Sequence, residues 1–317
     1  MGTVTQEAID QFKALMDQAE EPLKRAFQHI HQGYPTETLA RFLKAREGNV
    51  TKAHKMLVDC LKWRVESEIE NMLAKPIVPT DLYRAVRDSQ LIGLSGYSRE
   101  GLPVFAIGVG LSTLDKASVH YYVQSHIQIN EYRDCVILPS ATKKSGRHIS
   151  KCLKVLDMTG LKLSALSQIK LLSIISTIDD LNYPEKTLTY YIVNAPYIFS
   201  ACWKVVKPLL HERTRKKIQV LSGSGQDDLL KLMDYAPSHI FAEERALDLP
   251  NIHRMQPTIA IPWIIHFIKP STTTSSNNTQ SVDLVDQSSR DLLMSATQIW
   301  PWKKWILPKH LKLSYSI

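Results

Sequence analysis

Tyr183-Pro184-Glu185-Lys186 runs into an apolar, strand-like stretch at residues 188–193, and Asn194-Ala195-Pro196-Tyr197-Ile198-Phe199 then leads into a helix. Proline is pre-organised for helix entry. Behind it Ile198, Ala201, Cys202, Val205, Val206, Leu209 and Leu210 repeat at i, i+3 and i+4 and form one broad apolar face. Phe199 and Trp203, four residues apart, add an aromatic ridge beside it. The helix therefore offers more apolar surface than a single core contact uses. It suits a lid over an apolar cavity, and the basic run 213–217 follows it.

Pro103-Val104-Phe105-Ala106-Ile107-Gly108 and residues 152–157 and 218–221 read as further strands, being short, apolar and rich in Val, Ile and Tyr. Residues 118–137 and 165–181 carry helical spacing between them. Alternating strands and helices predict parallel crossovers and an α/β layer architecture. Upstream, residues 5–31, 36–46 and 51–70 read as three helices of a small bundle, with breaks at Gly33-Tyr34-Pro35 and Gly48-Asn49. Trp63 is placed to clamp that bundle to whatever follows. The two prolines within residues 75–79 mark the boundary. The predicted organisation is a helical module at 1–78, an α/β domain at 79–247 and a disordered tail at 248–317. The tail contains a Ser/Thr/Asn linker and ends in interleaved Trp and Lys, a pattern that also suits a lipid interface.

A chain of 317 residues with 44% hydrophobic content can fill a sizeable core, and a net charge of +8 favours anionic partners. Charge alone does not choose among nucleic acid, phospholipid headgroups and acidic proteins. Cys60, Cys135, Cys152 and Cys202 show no CxxC pair and no ligand-like spacing with His, so no metal site and no disulfide framework is predicted. Reduced thiols in the cytosol are expected. The N-terminus has no apolar secretory core and lacks the hydroxyl that myristoylation needs at position six. No apolar run reaches the roughly 20 residues that cross a bilayer, so membrane contact is expected to be peripheral. The sequon Asn49-Val50-Thr51 lies at a helix start and is expected to be unmodified.

No catalytic set emerges. Ser222-Gly223-Ser224-Gly225-Gln226 lacks the third glycine and the lysine of a nucleotide loop and reads as a strand-to-helix turn. Gly93-Leu94-Ser95-Gly96 is not a nucleophile elbow, and His120 and His126 read as core or surface residues. Arg213 and Arg215 fit a solvated helix end. Lys217 differs, because it opens an apolar strand, where an inward-pointing charge needs an anionic partner. Glu185 and Lys186, at the start of another strand, are expected near it. With Thr214 they would form a polar mouth beside an apolar cavity, a combination that fits a phosphate ester on a greasy tail.

These residues resemble the CRAL-TRIO lipid-transfer family, in particular its Sec-fourteen-like phosphatidylinositol transfer proteins. Leu39-Ala40-Arg41-Phe42-Leu43-Lys44-Ala45-Arg46 with Cys60-Leu61-Lys62-Trp63-Arg64 is similar to the family's N-terminal helical module. Residues 96–104 and Leu156-Asp157-Met158-Thr159-Gly160 resemble its first strands, and the stretch from Tyr183 through Asn194-Ala195-Pro196 to Lys207-Pro208 resembles its lipid-site signature. The likeness covers residues 36–240. It implies a CRAL-TRIO α/β/α lipid-binding domain with a mostly parallel sheet and a gating helix that opens at the membrane. It assigns the lipid headgroup to Glu185, Lys186, Thr214 and Lys217, with Arg46 reaching the phosphate, and the gate to Ile198, Phe199, Cys202, Val205, Val206, Leu209 and Leu210.

The resemblance implies a non-enzymatic, monomeric carrier without cofactor, metal or nucleic-acid partner, cytoplasmic and transiently peripheral on Golgi or plasma membrane. Phosphatidylinositol is the leading ligand. Phosphatidylcholine is the second, although Cys152 and Lys154 replace the hydroxyl residues that choline-lipid carriers commonly have on that strand. A carrier or sensor for a sterol, tocopherol or retinoid is the alternative, and a nucleotide-binding α/β enzyme is a more distant one. After Ser238-His239-Ile240 the family's Phe-Gly-Gly turn is replaced by Phe241-Ala242-Glu243-Glu244, which predicts an altered closing element.

Overall fold

A computed structural model describes residues 4–234. The expected tail and the departure after Ile240 lie outside the described residues. Residues 5–31, read as one helix, form two: α1 (Gln6–Asp17) and α2 (Glu21–His31). Pro22 is the reason, since it has no N–H to donate and its ring fits only the first turn of a helix. Helices α3 (Pro35–Ala45) and α4 (Val50–Glu66) complete the bundle. Asn49 caps α4 by accepting a hydrogen bond from the Lys52 N–H at 2.9 Å. Residues 51–70 do not form one helix either. The chain leaves α4 at Glu66, passes Glu68 at φ 50° and tightens into a 3₁₀ turn at Ile69–Ala74. Phe12, Leu39, Phe42, Leu57 and Leu61 fill the bundle core.

Helix α5 (Thr80–Ser89) and strand β1 (Ile92–Tyr97) follow, and neither is legible in the sequence pattern. Gly93 and Gly96 dilute the strand signal of β1, which pairs antiparallel with β2 (Pro103–Gly108) through an irregularity between Leu94 and Gly96. Helix α6 (Val119–Tyr132) continues through a wide turn at Arg133–Ile137 into α7 (Leu138–Ser145). Then come β3 (Cys152–Asp157), α8 (Ile169–Asn182) and β4 (Thr187–Val193). The last elements are α9 (Phe199–Val206), α10 (Glu212–Arg215), β5 (Ile218–Val220) and α11 (Gln226–Leu232). The sheet has five strands in the order β1-β2-β3-β4-β5, parallel from β2 to β5. This is the mixed α/β architecture that the alternation predicts.

Strand alternation divides the sheet into two unlike faces. Val104, Leu153, Val155, Tyr191 and Val193 pack under Leu138 and Ala141 of α7 and Leu229 of α11 in one closed core. The ladder places Lys154 beside Tyr190, and Tyr190 beside Ile218, on the other face. Bundle and sheet are joined by buried contacts rather than by a bare linker. Trp63 meets the Tyr183 ring edge-on at 6.3 Å, as its position predicts, and Arg64 is ion-paired to Glu131 of α6.

The turn at residues 222–226 connects β5 to α11. Gly225 sits at φ 64°, and a Cβ there would run into Leu221 and Val193. Asp157 likewise serves structure, because its carboxylate accepts from the Thr159 N–H and hydroxyl and from the Asn194 amide at 2.7–2.9 Å. That ties the end of β3 to the turn leaving β4.

Candidate functional site

The segment 183–186 and the start of β5 meet in one ion cluster. Lys217 Nζ lies 2.8 Å from Glu185 Oε2 and donates to the Thr187 carbonyl at 3.1 Å. The anionic partner that a strand-opening lysine requires is therefore Glu185. Glu185 adopts φ 61°, a left-handed conformation uncommon for a side chain larger than Gly. Arg213, read as part of a solvated helix end, instead turns inward. Its Nε sits 3.4 Å from Glu185 Oε1 and its guanidinium donates to the Ala45 carbonyl. Only the closed tertiary fold brings the end of α3 against α10, so no signal in the linear pattern could have shown it.

Arg46 is half-buried beside Arg213, and burial followed by the Arg213 charge lowers its pKa, with Asp180 opposing. The Thr214 hydroxyl hydrogen-bonds Asp180, whose carboxyl is raised by burial against the pull of Arg213 and His211. Lys151 is lowered by burial and then by Lys44 and Lys217. Glu185, Thr214, Lys217 and Arg46 thus share one cation-rich neighbourhood, in which an added anion would be stabilised. Lys186 does not join them. It turns to Asp134, 3.0 Å away, on the side of α3 and the Arg133 turn.

Immediately downstream of the cluster, the sheet face of β4 and β5 is apolar and incompletely covered. Leu188 is 41% and Val220 53% exposed, with Tyr190 and Ile218 half-buried between them. Apolar groups in that position lack the packing partners of a finished core. On the same face the Lys154 ammonium lies 5.6 Å from the Tyr190 ring centroid and 3.8 Å from Asp179. Asp179 also contacts His126 at 2.7 Å and accepts from Asn130 at 2.8 Å. His126 is thus a core histidine held by a carboxylate.

The segment expected as one gate helix is shorter and broken. Helix α9 ends at Val206, Lys207–Leu209 form a 3₁₀ turn, and Leu210 is extended. Pro208 explains the break, since it cannot continue an α-helical hydrogen-bond ladder. Ile198 stands at the N-cap and Cys202 is buried. Phe199 stacks on Trp203 at 5.9 Å, while Val206 and Leu210 are half-buried. Tyr197, Val205 and Leu209 present 93%, 45% and 41% of their surface. Among the described residues no helix is long and apolar enough to cross a membrane.

Comparison with known proteins matches the helical bundle and the sheet domain in turn. A model of the CRAL/TRIO domain matches residues 87–240, and one of the CRAL/TRIO N-terminal domain matches residues 8–59. The chain is similar to the Arabidopsis thaliana phosphatidylinositol/phosphatidylcholine transfer protein SFH9, 29% identical over 64% of this chain and 36% of that protein. It is similar to the SEC14 cytosolic factor of Eremothecium gossypii, 29% identical over 61% of this chain and 64% of the other. The chain spans less than two thirds of the length of these relatives. The crystal structure of Sfh5 shares the fold, with a TM-score of 0.56 at 19% identity over 73% of this chain and 85% of that one. A helical module and an α/β sheet domain are thus matched separately and in the order found here, and the chain belongs to the CRAL/TRIO family.

Proposed function

We propose that this protein binds a phospholipid, phosphatidylinositol foremost, and exchanges it between membranes without catalysing a reaction. The observation that carries this reading is the Glu185–Lys217–Arg213 cluster at the head of β4 and β5, directly beside the uncovered apolar face of the same strands. A phosphate ester would sit in the cation-rich rim and its acyl chains along Leu188, Tyr190, Ile218 and Val220. The names of the relatives, phosphatidylinositol/phosphatidylcholine transfer proteins, support this ligand class.

Exposing a diacyl lipid of some 30 methylenes to water would cost on the order of 20 kcal/mol at about 0.8 kcal/mol each. Release must therefore occur at a membrane. The exposed Tyr197, Val205 and Leu209, with Lys204 and Lys207 beside them, form a surface able to enter an anionic interface. Peripheral, transient membrane contact of a cytoplasmic carrier follows from this reading.

Transfer of labelled phosphatidylinositol between vesicles tests it. Lys217→Ala removes one charge-assisted hydrogen bond, worth about 1.5–3 kcal/mol, so affinity should fall roughly ten- to hundredfold with the fold intact. Unchanged transfer would exclude the assigned site. Mass spectrometry of the lipid co-purified with the protein identifies the ligand directly, and recovery of a sterol or tocopherol in place of phospholipid would replace this proposal with the alternative.

A further inference from the structure

A cavity of about 290 Å³ opens between the helical bundle and the sheet domain, on the side to which Lys186 turns. None of Glu185, Thr214, Lys217, Arg46 or Arg213 lines it. Its wall is unusual in charge. Arg41 is buried and bonds only neutral acceptors, the Pro184 carbonyl and the Thr38 hydroxyl, each at 3.2 Å. Among the described residues no carboxylate lies within ion-pair distance of it. Lys186 is also buried and pairs with Asp134 at 3.0 Å, but that carboxylate is already taken by buried Arg133 at 2.7 Å. Two buried cations thus share the Asp134 carboxylate, and the third, Arg41, has none in contact, Asp134 and Glu185 acting on it only through longer-range charge.

The remaining lining adds a rim lysine and an imidazole, His148, which burial holds below its usual pKa against the pull of Glu37. His148 stacks flat on Tyr34 with ring centroids 3.5 Å apart, and its Nδ1 is buried without a hydrogen-bond partner. Lys143 stands exposed at the rim, which also carries one exposed acid, Glu37. Burying uncompensated charge is unfavourable unless a counter-charge arrives. Burial pulls Arg41 down to about 10, and burial and then Arg41 pull Lys186 down to about 8.

We propose that this cavity is a second anion site, which takes a phosphate group between Arg41, Lys186, His148 and Lys143 and thereby fastens the helical bundle to the sheet domain. A guanidinium fork beside an ammonium suits phosphate oxygens. The phosphate can come from a soluble phosphate compound or from a phosphorylated lipid headgroup at a membrane. The site does not depend on the lipid-exchange reading, because it shares no residue with the Glu185–Lys217 cluster.

Isothermal titration of the full chain with inorganic phosphate, at ionic strength matched with chloride, tests the proposal. Saturable phosphate binding that survives Lys217→Ala is expected, with a rise in melting temperature. His148→Ala and Lys143→Ala, both at the accessible side of the cavity, should together weaken it by about tenfold or more, the worth of a charge-assisted hydrogen bond. They should also abolish the melting shift, whereas Lys217→Ala should leave both readouts in place. Absence of saturable binding, indifference to the double substitution, or loss with Lys217→Ala would each overturn the site. A second arm compares vesicles of phosphatidylcholine with vesicles that also carry phosphatidylinositol 4-phosphate. Binding to the latter that depends on His148 and Lys143 and is competed by phosphate assigns the lipid source, and its absence beside phosphate binding assigns the soluble one.

Discussion

Arg64 is the residue whose loss should damage the fold most. Its side chain and that of Glu131 are each 3% exposed, and they form a two-pronged pair at 2.9 and 2.8 Å between α4 and α6. The Tyr183 hydroxyl donates to the same carboxylate at 2.6 Å, and Arg64 Nε reaches Glu70 at 3.1 Å. Arg64→Met would strand the Glu131 carboxylate in the interior with Tyr183 as its remaining strong donor. Breaking a buried pair on one side costs about 3–5 kcal/mol. At about 2–4 °C per kcal/mol for a domain of this size, the melting temperature should drop by roughly 6–20 °C. Arg64→Met combined with Glu131→Leu should recover most of the loss, because apolar replacement of both partners is often close to neutral. The orphaned Tyr183 hydroxyl would retain about 1–3 kcal/mol of it. Urea denaturation followed by circular dichroism measures all three variants. A single substitution costing less than about 1 kcal/mol, the range of ordinary surface changes, would refute the assignment of this pair as the clasp between bundle and sheet.

Val205→Asp should leave stability nearly unchanged, because the side chain is already 45% exposed, yet lower binding to anionic vesicles in a flotation assay. Equal vesicle binding would remove α9 from the membrane-facing surface. Acid should destabilise the protein in a defined window. Burial raises the Asp134 and Asp179 carboxyls, but Arg133 and Lys186 around the first, and His126 and Lys154 around the second, outweigh it and hold both well below the usual range. Groups depressed in this way contribute stability above their unfolded value, about 3.9, and lose that contribution as pH falls toward the folded value. The urea midpoint should accordingly hold steady between about pH 7 and 5 and fall below about pH 4. A midpoint that stays constant down to pH 3 would contradict the two ion networks.

Much of the architecture was legible because it rests on local physics. Apolar runs of six or seven residues separated by helical spacing announced β2, β3 and β4, and Pro196 announced the turn into α9. The unread elements had locally weak signals. Strand β1 carries two glycines, and Pro22 and Pro208 each divided a stretch whose apolar spacing runs on regardless of the break. At the site, the charge of Lys217 at the head of an apolar strand was enough to demand an acid, and Glu185 is that acid.

What the sequence alone determined is the strands β2 to β5, the helical segments between them, their parallel crossovers and the need for a paired charge at the head of β5, since each follows from periodicity or from the cost of burying an ion. Only the tertiary structure decided which charges meet. Glu185 and Lys186 are neighbours in the chain, yet the left-handed backbone at Glu185 lets one join Lys217 and Arg213 while the other joins Asp134 and the Arg41 cavity. Coulombic pairing acts through space and depends on distance and burial, neither of which is written in the linear order of the residues.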